Sequence, residues 1–480
     1  AGDRLYVVKD DDDVIRVSVT KQDGTAVVSS AAGVREFTAT GTIANGIIVT
    51  LETDGTVKAT TETTESPTVG TAVVFGGLAG SLGYEASVFD SNSNKVVIAY
   101  NDNDNSSYGT AVVGTVSEMV ISFGTPVVFE SASVTNVVAA FDSNANKVVI
   151  GYADTGNSNY GTAIVGTVSG TSISFGSAAV FESASVTYMG ATFDSNANKV
   201  VIEYCDTGNS SYGTAVVGTV SGTGISFGTP VVFESATTSW TTASFDSNAN
   251  TVVIGYSDGG NSSYGTAIVG TVSGTSISFG TPAVFESASA TANQSSFDSN
   301  SNKVVISYTD NGNSSYGTAV VGTVSGTDIT FGTPVVFHSG PIYLDFGSCF
   351  DPITNTVVIA YQIRTGVLPG WFSVGTVSGT SISFASAVEF YSAVVASISA
   401  VYDTSAKKAV IVFTSNTPSS NDGLGVVYGS IINTDVDDEI GIAAEAGTDG
   451  NPLDVTILGG VNASQSGLTI AADYWAASDG

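Results

Sequence analysis

The sequence predicts an all-β protein, a seven-bladed β-propeller of four antiparallel strands per blade, closed by an N-terminal strand and accompanied by a small β domain built from both termini. Three observations lead there. A unit of about 52 residues recurs seven times, with anchors at Phe89, Phe141, Phe193, Phe245, Phe297, Phe350 and Tyr402. A period of this length with strand-like content marks a radial repeat array whose units bury their faces only by stacking. Each unit divides into four strand-sized segments separated by turn residues. A lone fourth-strand segment precedes the first unit, and the last unit has none of its own.

The unit that follows Phe181 illustrates the elements. Residues Tyr188 to Asp194 are predicted as strand a, followed by the Asx-rich turn Asp194-Ser195-Asn196-Ala197-Asn198. Strand b, Lys199 to Tyr204, contains the uninterrupted run Val200-Val201-Ile202, which suits a strand covered on both faces. The polar segment Asp206-Thr207-Gly208-Asn209-Ser210 turns the chain into strand c, Tyr212 to Ser221. Ser221-Gly222-Thr223 is a tight turn into strand d, Ile225 to Phe233, with apolar residues alternating at Ile225 and Phe227.

The ends give the closure. Gly70 to Phe75 reads as a d strand, and the last unit supplies a, b and c, ending near Tyr428 to Ile432. Pairing the two completes the seventh blade and leaves no bare sheet edge. The propeller is therefore expected over 69–432, with 1–68 and 433–480 as two segments of one flanking β domain. Strands are expected near Leu5 to Val8, Val14 to Thr20, Arg35 to Ala39, Ile47 to Leu51 and Val57 to Thr60, then Ile440 to Ala444, Val455 to Ile457 and Tyr474-Trp475. Thr61 to Thr68 and Asn433 to Asp438 read as the entering and leaving linkers.

Composition narrows the setting. With 55 glycines, 42% hydrophobic and 12% charged residues, the chain has the make-up of a strand-and-turn protein with a large core. Its apolar runs are strand-sized, so no membrane insertion by a helix is expected. Ala1-Gly2-Asp3-Arg4 lacks the apolar centre of a secretion signal, which suggests synthesis in a cytoplasm. A formal charge of −31 repels phosphate backbones, so no nucleic-acid partner is expected. Cys205 and Cys349 fall in different repeats on non-equivalent strands and read as packing residues.

Catalytic patterns are weak. The single histidine, His338, ends a d strand where sister repeats carry Glu130, Glu182, Glu234 and Glu286, and reads as a surface residue. One histidine without cysteine help makes no zinc site, and pairing it with Cys349 would require unusual geometry. Glu85, Glu203 and Asp345 are the carboxylates that could approach a channel, though nothing in the sequence marks two of them as partners. Asp142-x-Asn144-x-Asn146 and its sisters copy the opening oxygen spacing of a calcium loop, but the rest of that loop is missing. The expectation is Asx capping of a tight turn and no cofactor, with calcium at these Asx-rich turns as the one metal to consider. The run Asp10 to Asp13 reads as a solvated loop.

Units such as Ser211-Tyr212-Gly213-Thr214-Ala215-Val216-Val217-Gly218-Thr219-Val220, ending Phe227-Gly228-Thr229-Pro230-Val231-Val232-Phe233, resemble the repeats of marine bacteriophage virion appendage proteins of the tail-fibre kind. The segment Phe37 to Gly46 with Asp54-Gly55-Thr56-Val57 resembles a stretch preceding such repeats. Ile440-Gly441-Ile442-Ala443 with Val461 to Thr469 resembles their closing domain, which in relatives would continue by a strand or two past Tyr474-Trp475. The resemblance implies a virion location, other virion proteins as partners and a homo-oligomer, often a trimer. A second resemblance is to the Asp-box turn of sialidase-type propellers at Ser169-Gly170-Thr171-Ser172-Ile173-Ser174-Phe175. The aspartate of that motif is missing, and Arg364 is the one arginine inside the repeats, so the sialidase arginine cluster is absent.

The repeats diverge most before and within strand a, in the expected d-to-a loops that crowd one face of a propeller around its channel, which places the candidate ligand-binding residues Asn136, Tyr188, Trp240, Gln294 and Tyr343 on one rim suited to stacking on sugars and bonding their hydroxyls. The expectation is a non-enzymatic phage virion protein, a tail or fibre adhesin that binds a host-surface glycan or protein receptor. A capsid or neck decoration contacting only virion subunits is the second reading. A carbohydrate-processing propeller enzyme is the third.

Overall fold

The computed structural model describes residues 66–76, 83–364, 366–415 and 422–429, together with strands at 4–9, 15–20, 34–38, 48–51, 57–59, 62–64, 432–434, 439–443 and 452–457. The described chain is an all-β, propeller-like repeat fold, interrupted only by short 3₁₀ turns. It divides into a larger unit, 67–429, and a smaller one formed by 1–66 with 430–480.

The second repeat strand, Lys199–Asp206, pairs with Tyr212–Ser221 on one side and with the end of Ala179–Asp194 on the other. Val200, Val201 and Ile202 are all fully buried. Val200 and Ile202 belong to one hydrophobic cluster and Val201 to another, because alternate side chains leave opposite faces of the sheet. Burying such a side chain contributes about 1.5–3 kcal/mol, so each sheet is held by both of its faces.

Two features of strand d differ from the sequence reading. The expected strand Ile225 to Phe233 is divided: Gly224–Phe227 and the start of Val231–Asp246 both pair with Tyr212–Ser221. Pro230 has no N–H to donate, and Gly228 runs so near the neighbouring hairpin that a Cβ there would lie 1.8 Å from the Thr275 carbonyl oxygen. Strands d and a are also not joined by a loop. Val231–Asp246 is continuous, pairing with Tyr212–Ala215 up to Thr237 and with the next sheet, Thr251–Asp258, from Thr238 onward. The divergent segments therefore lie within a strand.

Aromatic rings fasten one sheet to the next. Phe181 packs against Tyr204 and Phe227 at centroid separations of 5.3 and 5.4 Å, and the same trio recurs as Phe233, Tyr256 and Phe279. The Tyr204 hydroxyl donates to Glu182 Oε2 at 3.0 Å. In the Asx turn, Asp194 Oδ1 accepts from the N–H groups of Asn196 and Ala197 at 2.9 and 2.8 Å. Thr207–Asn209 is one 3₁₀ turn, capped by Asp206 Oδ1.

At the end of the larger unit, Asp422–Gly429 pairs with Thr68–Val69 and Val73–Val74. Gly70 N–H donates to the Val427 carbonyl and Phe75 N–H to the Gly423 carbonyl, each at 2.8 Å.

In the smaller unit, Val34–Thr38 and Ile48–Leu51 pair with Pro452–Ile457 and Glu439–Ala443 in a five-stranded sheet completed by Val57–Ala59. Arg4–Lys9 and Ile15–Thr20 form a separate antiparallel pair. The segments read as linkers are not simple coil, since Glu62–Thr64 pairs with Ile432–Thr434. Tyr474-Trp475 lies outside the described residues.

Candidate functional site

Ser87, Val138, Gly190, Thr242, Gln294, Ser348 and Ser399, one from each repeat, line a single cavity of about 210 Å³. Its wall is rich in hydroxyls that bond across sheets to one another or, for Ser348, to Ser296 beside the wall. Ser87 and Ser399 Oγ are 2.7 Å apart, Thr242 Oγ1 and Ser295 Oγ 3.0 Å, and Ser296 and Ser348 Oγ 2.6 Å. The first of these joins residues 312 positions apart in sequence, one in the first repeat and one in the last.

A β-bulge in strand a shapes the cavity edge. The pairing skips two residues between Thr135 and Val138, Thr187 and Gly190, Ser239 and Thr242, Thr291 and Gln294, and Ala396 and Ser399. The first extra residue is left-handed each time: Asn136 at φ +50°, Tyr188 at +46°, Trp240 at +53°, Ala292 at +53° and Ser397 at +48°. Such a backbone is costly for a bulky side chain and persists only where its surroundings hold it. In four repeats the second extra residue, Val137, Met189, Thr241 or Ile398, lines the cavity.

Contacts between neighbouring sheets fix these bulges. Tyr188 N–H donates to Asn136 Oδ1 at 3.1 Å, and the Thr241 hydroxyl donates to the Tyr188 carbonyl. Asn293 Nδ2 donates to the Trp240 carbonyl at 3.0 Å. The Tyr188 and Trp240 rings meet at 5.0 Å between centroids and 55° between planes, with Tyr188 exposed and Trp240 half-buried.

Of the five residues predicted for the rim, then, Asn136, Tyr188 and Trp240 form one connected group. Asn136 Oδ1 is engaged by the Tyr188 backbone, which makes Asn136 a positioning residue. Gln294 lines the cavity, and exposed Tyr343 stands with Arg364, whose guanidinium carbon lies 5.3 Å from the ring centroid.

The electrostatics of this end follow the repeat. Tyr152, Tyr204, Tyr256 and Tyr308 donate to Glu130, Glu182, Glu234 and Glu286 at 2.9–3.1 Å. Glu182 and Glu234 are held above the usual carboxylate range, first by burial and then by the charges of Asp206 and Asp258. Glu286 is also raised, chiefly by burial with Asp310 adding to it. His338 takes the glutamate position in its repeat. Its ring is half-buried and 5.3 Å from that of Tyr361, and burial pulls its imidazole below the usual range.

The histidine read as a surface residue is thus partly enclosed. Its suggested partner Cys349 lies in the apolar cluster with Phe372 and Tyr402, where burial pushes the thiol up and disfavours the nucleophilic thiolate. Cys205 is likewise a buried free thiol. Of the carboxylates considered for hydrolysis, Glu85 and Asp345 lie outside the residues whose side chains are described.

Glu203 is fully buried, with neither carboxylate oxygen hydrogen-bonded in the described structure. It pairs across the sheet with Gly190, and a Cβ on Gly190 would lie 1.8 Å from Glu203 Oε1. The carboxyl fills the side-chain space that Gly190 vacates, one strand behind the cavity wall. Burial raises its pKa well above the usual range. Sequence reasoning included Glu203 among the channel carboxylates without its pairing to Gly190, and gave Arg364 no role.

No family model and no curated protein matches the sequence. Among solved structures, the chain is similar to a Dyadobacter fermentans protein of unknown function, at 11% identity and a TM-score of 0.49 over 76% of this chain and 99% of the other. It is also similar to the SapL1 lectin in complex with alpha methyl fucoside, at 15% identity and a TM-score of 0.40 over 66% of this chain and 97% of the lectin. At these scores neither likeness bears on what this chain does.

Proposed function

We propose that the larger unit, 67–429, forms a seven-bladed β-propeller closed by its own two ends, and that it binds surface glycans at the mouth of its axial cavity. Closure is supported by the pairing of Thr68–Val74 with Asp422–Gly429 and by the Ser87–Ser399 hydrogen bond. The binding reading rests on the strained, partly exposed Tyr188–Trp240 pair beside a hydroxyl-lined cavity. Aromatic faces stack on sugar rings and fixed hydroxyls bond to sugar hydroxyls, so the two supply the chemistry of a carbohydrate site.

The protein is read as non-enzymatic. The virion setting rests on the resemblance of the repeats to phage appendage proteins, and it makes this chain a tail or fibre adhesin with other virion subunits as partners. A homo-oligomer, a trimer in fibre-like appendages, would compensate for weak single sites by avidity.

A glycan array probed with the full chain tests the binding. Selective retention is expected, with a loss of about tenfold or more in the Trp240→Ala and Tyr188→Ala variants, since stacking of one ring on a sugar is worth about 1–2 kcal/mol. Retention of no glycan, or equal retention by both variants, would overturn it. Cryo-electron microscopy of intact particles tests the setting: a tip location with the Trp240 face outward is expected, and a capsid or neck location with that face covered would make the protein a decoration.

A further inference from the structure

The mouth end is acidic in four successive repeats and loses that character in the two that follow, the last of which has Tyr391 and Ser415 at the two positions. Glu182, Glu234 and Glu286 each approach the aspartate ending the neighbouring second strand, at Asp206, Asp258 and Asp310, and Glu130 and Asp154 both lie near Tyr152. In the next sector the glutamate position is His338 and the aspartate position is Ile363, as their pairings with Gly317 and Ile342 establish. The residue after Ile363 is Arg364, at the place of Thr155 and Thr207. Its backbone N–H donates to the Pro341 carbonyl at 3.0 Å, where those threonines use their hydroxyls on Ser133 and Ser185.

Arg364 is exposed and lies over the ring of Tyr343. The six lysines of residues 67–429, Lys95, Lys147, Lys199, Lys303, Lys407 and Lys408, all lie at the turn into the second strand, at the opposite end of the repeat. Among the described residues of this unit, Arg364 is the one cation at the mouth end.

We propose that Arg364, seated on Tyr343 in the sector where His338 replaces the glutamate, forms an anion-recognition notch that takes the carboxylate or sulfate of an acidic sugar, so that the rim selects anionic glycans. This inference rests on the glycan reading above and names its ligand class. A planar guanidinium donates to carboxylate or sulfate oxygens through two parallel N–H groups, and its seat on an aromatic ring limits the freedom lost on binding. The Tyr343 hydroxyl adds a donor. Loss of the two acids removes the repulsion that the four acidic sectors would exert on the same ligand, and of the two sectors without them this one alone carries a cation at the mouth.

The test uses immobilised full-length protein and matched probes: oligogalacturonate with its methyl ester, and a sulfated galactan with its desulfated form, at low ionic strength. The free acid or the sulfate form is expected to bind at least tenfold more tightly than its neutral partner, and which of them does so separates a carboxylate site from a sulfate site. Arg364→Ala is expected to remove the difference and Arg364→Lys to restore part of it, while the melting temperature stays unchanged because the side chain is exposed. Equal binding of charged and neutral partners, or preference undiminished in Arg364→Ala, overturns the notch and leaves the glycan site standing. Binding of none of the four probes, with none retained on the array, overturns both.

Discussion

Gly190 and Glu203 show how a single substitution in a repeat is accommodated by its cross-strand partner. Where this sheet has glycine opposite glutamate, the first repeat has Ala86 opposite Ala99 and the second has Val138 opposite Gly151. Gly190→Ala alone should destabilise by about 1–3 kcal/mol, because the new Cβ meets a carboxyl with nowhere to move. Adding Glu203→Ala should recover most of that loss, and chemical denaturation of the two single variants and the double variant measures the coupling. Glu203 also gives a pH dependence. Its carboxyl is raised in the folded state, so the folded chain holds the proton more tightly than the unfolded chain. Its contribution is complete below the unfolded carboxyl's value near about 4.3 and is lost as pH rises toward the folded value. Melting curves of wild type and Glu203→Ala should therefore diverge in favour of the variant as pH rises from 4 to 8; parallel curves would refute the assignment.

The c-to-d hairpin offers a test on one element. Its left-handed position is glycine in five repeats, Gly170, Gly222, Gly274, Gly326 and Gly379 at φ of +61° to +63°, but Glu118 in the first, at φ +53°. A side chain in that region costs about 1–2 kcal/mol, partly offset by the greater freedom of glycine in the unfolded chain. Glu118→Gly should raise stability by up to about 1 kcal/mol, with no change in the slope of the urea transition. The bulge in strand a is the contrasting element. There the left-handed residue is never glycine in the five repeats where it is described, and its strain is held by bonds from neighbouring sheets such as Asn293 to Trp240. Trp240→Ala should cost about 0.5–1.5 kcal/mol for the lost Tyr188 ring contact, plus the buried part of the indole, and differential scanning calorimetry would register it.

At the scale of the molecule, the proposed ring makes a prediction about its two ends. Ser87 and Ser399 Oγ atoms 2.7 Å apart place a cysteine pair within bonding reach. The variant Ser87→Cys/Ser399→Cys should oxidise without rearrangement and raise stability by about 2–4 kcal/mol, less whatever strain the new bond stores. Mass spectrometry under non-reducing conditions detects the bond, and failure to form it in folded protein would argue for an open array. Removing residues 67–76 should expose the edge of Asp422–Gly429 and promote aggregation, which light scattering would detect.

The sequence by itself determined what depends on neighbours along the chain. The 52-residue period, the Val-Val-Ile strand buried on both faces, the Asx turns and the pairing partners at the two ends were all legible, because alternation and turn chemistry act over a few residues. Asn136, Tyr188, Trp240, Gln294 and Tyr343 were marked together by their divergence from sister repeats, and among the described residues contacts between sheets join only the first three into one group. Only the tertiary structure decided that strands d and a are continuous and that the divergent residues sit on bulges, since a skipped pair exists only relative to a partner strand. The filling of the Gly190 space by Glu203 and the placement of Arg364 over Tyr343 likewise depend on contacts across strands and between sheets. Periodicity carries no record of such contacts, so the frame of this protein could be read from its sequence while the shape and charge of its mouth had to come from the fold.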